Sequence, residues 1–234
     1  MKTYRLLGIL TAVYITMQLV SDATAAKIVL IGHFPVSITV LYFPLTYLFS
    51  DVLTEVYGYS VARRVVWTVL GCSILAGLFY QVAAYVPALA QTTSIDPYRQ
   101  VFGTVPRILA GGWLAVWAGG ISNDYVLAKM KIIFQGKHLW LRTIGSTLVG
   151  ELINTVIFSL IGLFGILPPA VLLTSILSSW LIKVALEAIL TPLTYAVIRK
   201  IKAYEQEDYY DIGTDFHPFH VLSDHQKTTS TLMM

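Results

Sequence analysis

Long apolar stretches alternate with short polar segments along this chain. A helix needs about 20 apolar residues to cross the hydrocarbon core of a bilayer. Five stretches meet this requirement, at residues 4–26, 65–86, 108–128, 147–167 and 170–198. The pattern predicts an all-α integral membrane protein.

A further apolar stretch, residues 28–56, predicts a shorter helix preceded by a hairpin. Pro44 suits the first turn of a helix, so we expect a helix from about Phe43 to Gly58. Upstream, residues 28–31 and 36–40 are rich in β-branched side chains, which is typical of a short hairpin or a re-entrant stretch. The sequence therefore predicts six transmembrane helices around a polar cavity, with a short hairpin between the first two.

The chain becomes polar and acidic after Lys200. We expect residues 1–202 to form the six-helix transmembrane domain and residues 203–234 to form a cytoplasmic, partly disordered tail. The first stretch carries polar positions such as Thr11 and Gln18 and is not followed by a soluble domain, so we interpret it as a mature helix and not as a cleaved signal peptide.

The basic residues predict the orientation, because short cytoplasmic loops are enriched in Lys and Arg. One side would hold only Lys27, Arg99 and Arg107. The other side would hold Lys2, Arg5, Arg63, Arg64, Lys129, Lys131, Lys137, Arg142, Arg199, Lys200 and Lys202. This bias predicts a multi-pass protein of the cell inner membrane with both termini in the cytoplasm.

Composition supports the same class. Hydrophobic residues make up 56% of the 234 residues and charged residues 12%, whereas an average soluble domain carries about 25% charged residues. The net charge of +3 is too small for a nucleic-acid binder, and we expect the basic residues to face the anionic lipids of the bilayer. The single cysteine, Cys72, excludes an intrachain disulfide and a zinc cluster built on cysteines.

Ionisable side chains within the predicted spans are the main candidates for function. Each costs several kcal/mol in lipid unless it faces a cavity or a partner. Amides accompany them at Gln18, Asn123 and Asn154, and a lysine at Lys183. Any one of these groups is explained equally well by a hydrogen bond between helices. A polar cavity explains better the six carboxylates that lie in or near spans, namely Asp22, Asp51, Glu55, Asp124, Glu151 and Glu187.

The spacing of these residues leaves two questions open. Asp51 and Glu55 share one helix face, so a proton, a cation or a ligand must offset their repulsion, and Arg63 and Arg64 could also do so. Lys183 either pairs with Glu187 on its own helix or reaches across the cavity. In the second case its partner would be Glu151 or Asp51.

Glu151 and Asn154 also share a helix face. A carboxylate beside an amide suits the donor and acceptor edge of a planar heterocycle. Trp113, Trp117 and Trp180 are candidates to stack on it. The predicted substrate-binding residues are Asp51, Glu55, Asn123, Glu151, Asn154, Lys183 and Glu187.

Other chemistries find little support. The sequence has no GxSxG, HExxH, P-loop or GxGxxG motif, so we expect no enzyme, no cofactor and no metal. An intramembrane enzyme is the least favoured alternative. His217, His220 and His225 lie in the tail, where adventitious metal binding is the simplest interpretation.

Several runs of residues resemble a known family over nearly the whole chain. The most specific run surrounds the second helix and reads Phe43-Pro44-Leu45-Thr46-Tyr47, then Asp51-Val52-Leu53-Thr54-Glu55-Val56-Tyr57-Gly58-Tyr59 and Ala62-Arg63-Arg64. The others are Tyr125-Val126-Leu127-Ala128-Lys129-Met130-Lys131, Leu139-Trp140-Leu141-Arg142-Thr143-Ile144-Gly145-Ser146-Thr147 with Gly150-Glu151, Thr191-Pro192-Leu193-Thr194-Tyr195, and the tail's Tyr210-Asp211 and Phe216-His217-Pro218-Phe219. Together they resemble the queuosine precursor transporters, also called the vitamin uptake transporter family.

The resemblance implies import of 7-deazaguanine precursors of queuosine, such as 7-cyano- or 7-aminomethyl-7-deazaguanine. The guanine-like edge of these bases donates hydrogen bonds, which fits a cavity of carboxylates and amides. Asn154 stands where many members carry Asp, and Asp22 where many carry Asn. The alternative function is a membrane substrate-binding subunit of an ATP-driven uptake system for a related small heterocycle. A second copy of the chain is a candidate partner.

Overall fold

The computed structural model describes residues 4–25, 27–87, 97–102, 106–165 and 167–221, and most of them are helical. This confirms the all-α prediction. The helices are α1 (Leu7–Thr24), α2 (Phe43–Tyr57), α3 (Tyr59–Tyr85), α4 (Pro97–Phe102), α5 (Pro106–Ile133), α6 (Leu139–Phe158) and α7 (Pro169–Glu205). Strands β1 (Ile28–Ile31) and β2 (Phe34–Ser37) precede a 3-10 turn at Ile38–Leu41, and a π-helical turn at Ser159–Leu163 extends α6.

Four helices of the described chain are long and apolar enough to cross a membrane, at Leu7–Thr24, Tyr59–Tyr85, Leu139–Leu163 and Pro169–Glu205. The 15 residues of α2 span about 22 Å, short of the roughly 30 Å of hydrocarbon. Helix α5 is long enough, but Asn123 and Asp124 interrupt its apolar sequence. Large apolar side chains such as Phe79 and Ile189 are exposed on the outer faces of α3 and α7, as lipid contact requires.

The predicted hairpin is present between α1 and α2. Its strands pair antiparallel, with Ile28 opposite Ser37 and Ile31 opposite Phe34, and Gly32 adopts a φ of 63° in the turn. The second strand ends at Ser37 and does not continue to residue 40, because the chain enters the 3-10 turn there. The Ser37 hydroxyl donates to the carbonyl of Ala25 at 2.9 Å, which fixes the hairpin to the end of α1.

Helix α2 lies at the centre of the structure, and most of its side chains are buried. It packs against α1, α3, α5 and α7. The helix begins at Phe43, has Pro44 in its first turn and ends one residue before Gly58, as the sequence predicts. Gly58 has a φ of 84°, and the ring of Tyr209 occupies the position that a Cβ at Gly58 would take. A glycine is therefore required between α2 and α3.

Helices α5 and α6 approach closely through two glycines that face each other. A Cβ on Gly119 would lie 2.8 Å from the carbonyl oxygen of Gly150, and a Cβ on Gly150 would lie 2.9 Å from that of Gly119. The Cβ added at Gly119 would also lie 2.7 Å from the Cβ of Asn154, and the Cβ added at Gly150 would lie 2.7 Å from the Cβ of Asn123. Small residues permit such approach between membrane helices. The glycine contact therefore sets the positions of both asparagines.

Both described termini lie at one end of the bundle, which we call the terminal end; the opposite end carries the hairpin. Here the backbone N–H of Leu6 donates to Glu205 at 2.6 Å. Residues 207–221, the tail segment, pack back onto this end. Tyr59 N–H donates to Asp211 at 3.0 Å, and Trp67 Nε1 donates to the carbonyl of Pro218 at 2.9 Å. The part of the predicted disordered tail beyond Val221 lies outside the described residues.

Candidate functional site

Most of the buried ionisable side chains of α2, α5, α6 and α7 form two groups at different depths. The central polar cluster consists of Asp51, Asn123, Asp124, Glu151, Asn154, Lys183 and Glu187, all of them buried. The ion cluster lies toward the terminal end and consists of Glu55, Lys131, Arg142, Lys202 and Asp208. Six of the seven predicted site residues thus belong to the central polar cluster, and the seventh, Glu55, belongs to the ion cluster.

Lys183 pairs across helices within the central polar cluster. Its Nζ donates to Glu151 Oε2 at 2.9 Å and to Asn154 Oδ1 at 3.1 Å. It also lies 4.4 Å from the centre of the Phe43 ring. Of the two alternatives that the sequence leaves open, the structure has Lys183 reaching Glu151 on α6. The second oxygen, Glu151 Oε1, has no hydrogen-bond partner among the described residues.

Asp51 and Glu187 lie beside this ion pair with fewer hydrogen bonds. Asn123 Nδ2 donates to Asp51 Oδ1 at 2.8 Å. Asp51 Oδ2, Asn123 Oδ1 and both carboxylate oxygens of Glu187 have no hydrogen-bond partner within the described chain. Burying a polar atom without a partner costs free energy. These acceptors are therefore buried without the hydrogen bonds that would offset the cost.

Asp124 and Tyr47 also belong to this region, although the sequence-based site omits them. Asp124 Oδ1 accepts hydrogen bonds from Ser50 at 2.7 Å and from Thr54 at 2.9 Å. The buried Tyr47 hydroxyl has no partner among the described residues. Tyr47 precedes Asp51 by four residues, so their shared face on α2 was the signal that could have identified it.

Glu55 makes a different set of contacts from Asp51. Arg142 donates to both of its oxygens, at 2.5 and 3.2 Å, and Lys202 Nζ donates at 2.6 Å. The alternative in which Arg63 and Arg64 offset the repulsion between Asp51 and Glu55 is wrong. Arg63 donates instead to the carbonyls of Asp215 and His217, and Arg64 donates to the carbonyl of Ser60.

Asp208 connects the ion cluster to the tail segment. Its Oδ1 lies 2.5 Å from Lys131 Nζ and 2.7 Å from Lys202 Nζ. Partial burial opposes ionisation, but hydrogen bonds from the two lysines prevail and hold the pKa of Asp208 below its usual value. The resulting network of alternating charges joins α2, α5, α6, α7 and the tail segment at the terminal end.

Two small recesses flank Lys183 on the hairpin side of the central polar cluster. One is lined by hydroxyl groups, including those of Ser37, Thr39, Thr155, Ser159, Ser175 and Ser179. The other is lined in part by Gln18, Asp22, Phe43 and Asn154. Asp22 and Asn154 therefore line one recess.

The three deep tryptophans make contacts with other helices and with the tail segment. Trp113 packs on Gly77 of α3, Trp117 packs 5.3 Å from Phe219, and Trp180 Nε1 donates to the carbonyl of Leu148 at 3.1 Å. Phe43 is the ring beside the ammonium of Lys183.

The tail histidines lie at the surface of the terminal end. His217 and His220 stack at 4.1 Å, and His220 contacts the exposed Asp215 at 2.5 Å. His225 lies outside the described residues.

Comparison with known proteins identifies the family. A family model described as "putative vitamin uptake transporter" matches residues 37–197. A relative from Bacillus subtilis (strain 168), named "probable queuosine precursor transporter", is 36% identical over 156 residues, which cover 65% of this chain and 67% of the relative. No solved structure matches the chain. The family match includes α2, the glycine contact and the whole central polar cluster, and the chain therefore belongs to the vitamin uptake transporter family of multi-pass membrane proteins.

Proposed function

We propose that this protein imports queuosine precursors, 7-deazaguanine bases such as the 7-cyano and 7-aminomethyl compounds, across the cell inner membrane. The name of the Bacillus subtilis relative supports this substrate class. The observation that carries the proposal is the buried Glu151 carboxylate, which has one oxygen bonded to Lys183 and the other without a donor. The base crosses the membrane without chemical change.

The donor groups of the base match the acceptors of the site. A guanine-like edge presents N1–H and a 2-amino group as donors beside a carbonyl acceptor. Glu151 Oε1 accepts from this edge. Lys183 donates to the carbonyl oxygen with the hydrogen that otherwise makes its longest contact, 3.5 Å to the Thr155 hydroxyl. Asn154, which is bonded to the same lysine, contacts the same edge of the base. The ring of Phe43, which also lies beside Lys183, packs against the face of the base. Hydrogen bonds to charged groups contribute about 1.5–3 kcal/mol each.

The remaining predicted residues take supporting positions. Asp51, Asn123 and Glu187 line the site next to Glu151, Asn154 and Lys183, the residues that bind the base. Glu55 closes the path toward the terminal end through its ion pairs with Arg142 and Lys202. A central site between two closable ends is what alternating access requires.

The orientation follows from the basic residues of the loops. The terminal end faces the cytoplasm with both termini, and the hairpin end faces outward. The ion cluster and the tail segment then close the cytoplasmic side, while the recesses beside Lys183 lie on the outer side. Six helices cross the membrane in this proposal, namely α1, α2, α3, α5, α6 and α7. Residues 1–202 form the membrane domain, and residues 203–234 form the tail. Surrounding lipid is the main partner, and the homodimer stays a prediction.

Uptake by the purified protein tests the proposal. The protein is reconstituted in liposomes, and entry of radiolabelled 7-cyano-7-deazaguanine is measured with guanine and unrelated purines as competitors. We expect saturable uptake that Glu151→Gln reduces about tenfold or more, because one charged hydrogen bond is lost. Lys200→Gln, which removes a charge from the exposed face of α7, serves as the matched control.

Two results would contradict parts of this proposal. Undiminished uptake by Glu151→Gln would reject the site. Uptake by intact cells together with none by the liposomes would favour the alternative in which a separate ATPase is needed.

A further inference from the structure

Charge is distributed unequally between the two clusters of the described structure. The central polar cluster contains the carboxylates Asp51, Asp124, Glu151 and Glu187 but one ammonium, Lys183. The ion cluster contains two carboxylates and three cations. An uncompensated charge at membrane depth costs several kcal/mol, so the negative excess at the centre requires a neutralising partner.

Most acidic groups around the centre already have a partner. The charged and titratable groups near Asp51 and Glu187 are Tyr14 from α1, Tyr47 and Glu55 from α2, Asp124 from α5, Glu151 from α6 and Lys183 from α7. Glu151 pairs with Lys183, and Glu55 pairs with Arg142 and Lys202. Asp124 accepts from two hydroxyls on Oδ1, while its Oδ2 has no partner in the described chain. Tyrosine hydroxyls keep their own protons near neutral pH.

Glu187 and Asp51 are left with the least compensation. Glu187 is 1% exposed, and neither of its oxygens has a donor in the described chain. Asp51 has a donor on one oxygen alone, and its helix α2 packs directly against α7, which carries Glu187. The neighbouring Asn123 Oδ1 is a further acceptor without a partner.

A proton satisfies this arrangement better than a metal ion. Protonation of one carboxylate removes a charge and turns an acceptor into an O–H donor for a neighbouring acceptor. A metal ion needs several oxygen ligands at once. The described residues contain no group of three or more acidic, histidine or cysteine side chains arranged to hold one.

We propose that Asp51 and Glu187 form a proton-binding site that is filled from the outer side and emptied into the cytoplasm with each imported base. This inference rests on the proposed import function. An O–H bond forms on a carboxylate with a proton from external water, and it breaks on the inner side, where water accepts the proton. The base itself gains and loses no atom.

The position of Glu187 explains how proton and base are linked. Glu187 and Lys183 lie four residues apart on one face of α7. Lys183 contacts Glu151 and Asn154, the residues proposed to bind the base. A movement of α7 that releases the base therefore also moves Glu187. The base site and the proton site then become open to the same side of the membrane at the same time.

The test uses liposomes that contain the purified protein and a pH-sensitive dye, with the membrane potential clamped at zero. The neutral 7-cyano base is added outside, because it carries no amine charge of its own. We expect the lumen to acidify as the base enters. A gradient of one pH unit, acid outside, should support about tenfold accumulation if one proton accompanies each base, since each tenfold ratio corresponds to about 1.4 kcal/mol.

Variants assign the effect to the two carboxylates. In Glu187→Gln and in Asp51→Asn we expect uptake to lose its response to the proton gradient and the lumen to stay at constant pH. Asp215→Asn removes an exposed carboxylate of the tail segment and should respond like the unsubstituted protein. If either variant fails to fold, acidification by the unsubstituted protein still decides whether a proton moves.

Several results would overturn the inference. They are base uptake without acidification, a full response to the gradient in both variants, and accumulation that follows a sodium gradient at constant pH. Failure of the import function itself looks different, because the unsubstituted protein would then take up no deazaguanine under any gradient.

Discussion

Lys183 on α7 donates a hydrogen bond to Glu151 on α6 at 2.9 Å, although Glu187 lies one turn away on its own helix. A lysine that precedes a glutamate by four residues is the weaker orientation for a pair within one helix. The pair across helices also brings in Asn154, which accepts from the same ammonium. The contact ties α6 to α7 at the depth of the proposed site.

Removing the lysine should destabilise the protein. Lys183→Met leaves the Glu151 carboxylate buried without its cation, and breaking a buried ion pair in this way costs about 3–5 kcal/mol. Thermal unfolding in detergent should show a clear fall in Tm, and uptake should be lost. Adding Glu151→Gln to Lys183→Met should restore most of the Tm without restoring uptake. A Tm that stays unchanged in the single variant would show that the pair carries little stability.

Glu55 and Asp208 offer a matched comparison within the ion cluster, because both contact Lys202 but differ in burial. The side chain of Glu55 is 1% exposed and that of Asp208 is 47% exposed. Glu55→Gln leaves buried cations uncompensated and should cost about 3–5 kcal/mol. Asp208→Asn should cost less than about 1 kcal/mol, since solvent screens an exposed pair. Equal losses of Tm for the two variants would contradict this division.

The sequence predicts local features of the fold well. Pro44 and Gly58 mark the bounds of α2, and the β-branched segments mark the hairpin, because these signals act within a few residues. The short helix α4 begins at Pro97 but has six residues, too few for an apolar periodicity to predict it from the sequence. The path of the tail segment was missed too, because its contacts with Tyr59, Arg63 and Trp67 join residues about 150 positions apart.

The site is harder to predict because its partners come from distant parts of the chain. The sequence places Asp51 and Glu55 together on one helix face. Four residues of helix separate them by about 6 Å along the axis, enough to put them in different clusters. Their partners, Asn123 for Asp51 and Arg142 and Lys202 for Glu55, are fixed by the packing of α5, α6 and α7.

The glycine contact between α5 and α6 should be sensitive to a single methyl group. Gly119→Ala and Gly150→Ala each place a Cβ within 2.7–2.9 Å of the facing helix. We expect a loss of about 1–3 kcal/mol from overpacking, together with reduced uptake, because Asn123 and Asn154 must shift. Gly71→Ala on α3 is the control, since a Cβ there meets no atom within 4 Å. Wild-type uptake and Tm in both variants would show that the helices can separate without consequence.

The docking of the tail segment should survive mild acid and fail in strong acid. Hydrogen bonds from Lys131 and Lys202 hold the pKa of Asp208 below its usual value despite its partial burial. The stability that Asp208 contributes is therefore complete above about pH 3.9 and is lost as the pH falls through the lowered pKa. Burial raises the pKa of Asp211, so its contribution has the opposite sign and weakens docking as the pH rises.

Spin labels can measure this docking. Nitroxides on the exposed Ile133 and Ile212 should give one narrow distance distribution from pH 7 to about pH 5. The distribution should broaden only as the pH falls below about 3.9 and through the lowered pKa of Asp208. In Asp208→Asn a minor broad component should be present at pH 7, in proportion to a cost of less than about 1 kcal/mol. If the distance distribution of the unsubstituted protein broadened near pH 6, groups other than Asp208 would control the docking of the tail segment.

The burial of α2 has a consequence for biogenesis. Its 15 residues do not span a bilayer alone, and they carry Asp51 and Glu55, which have little access to solvent in the folded protein. The groups that hold these carboxylates lie on α5, α6 and α7 and are synthesised later. We therefore expect α2 to reach its final place in the membrane late, after the C-terminal helices that hold its carboxylates have been made.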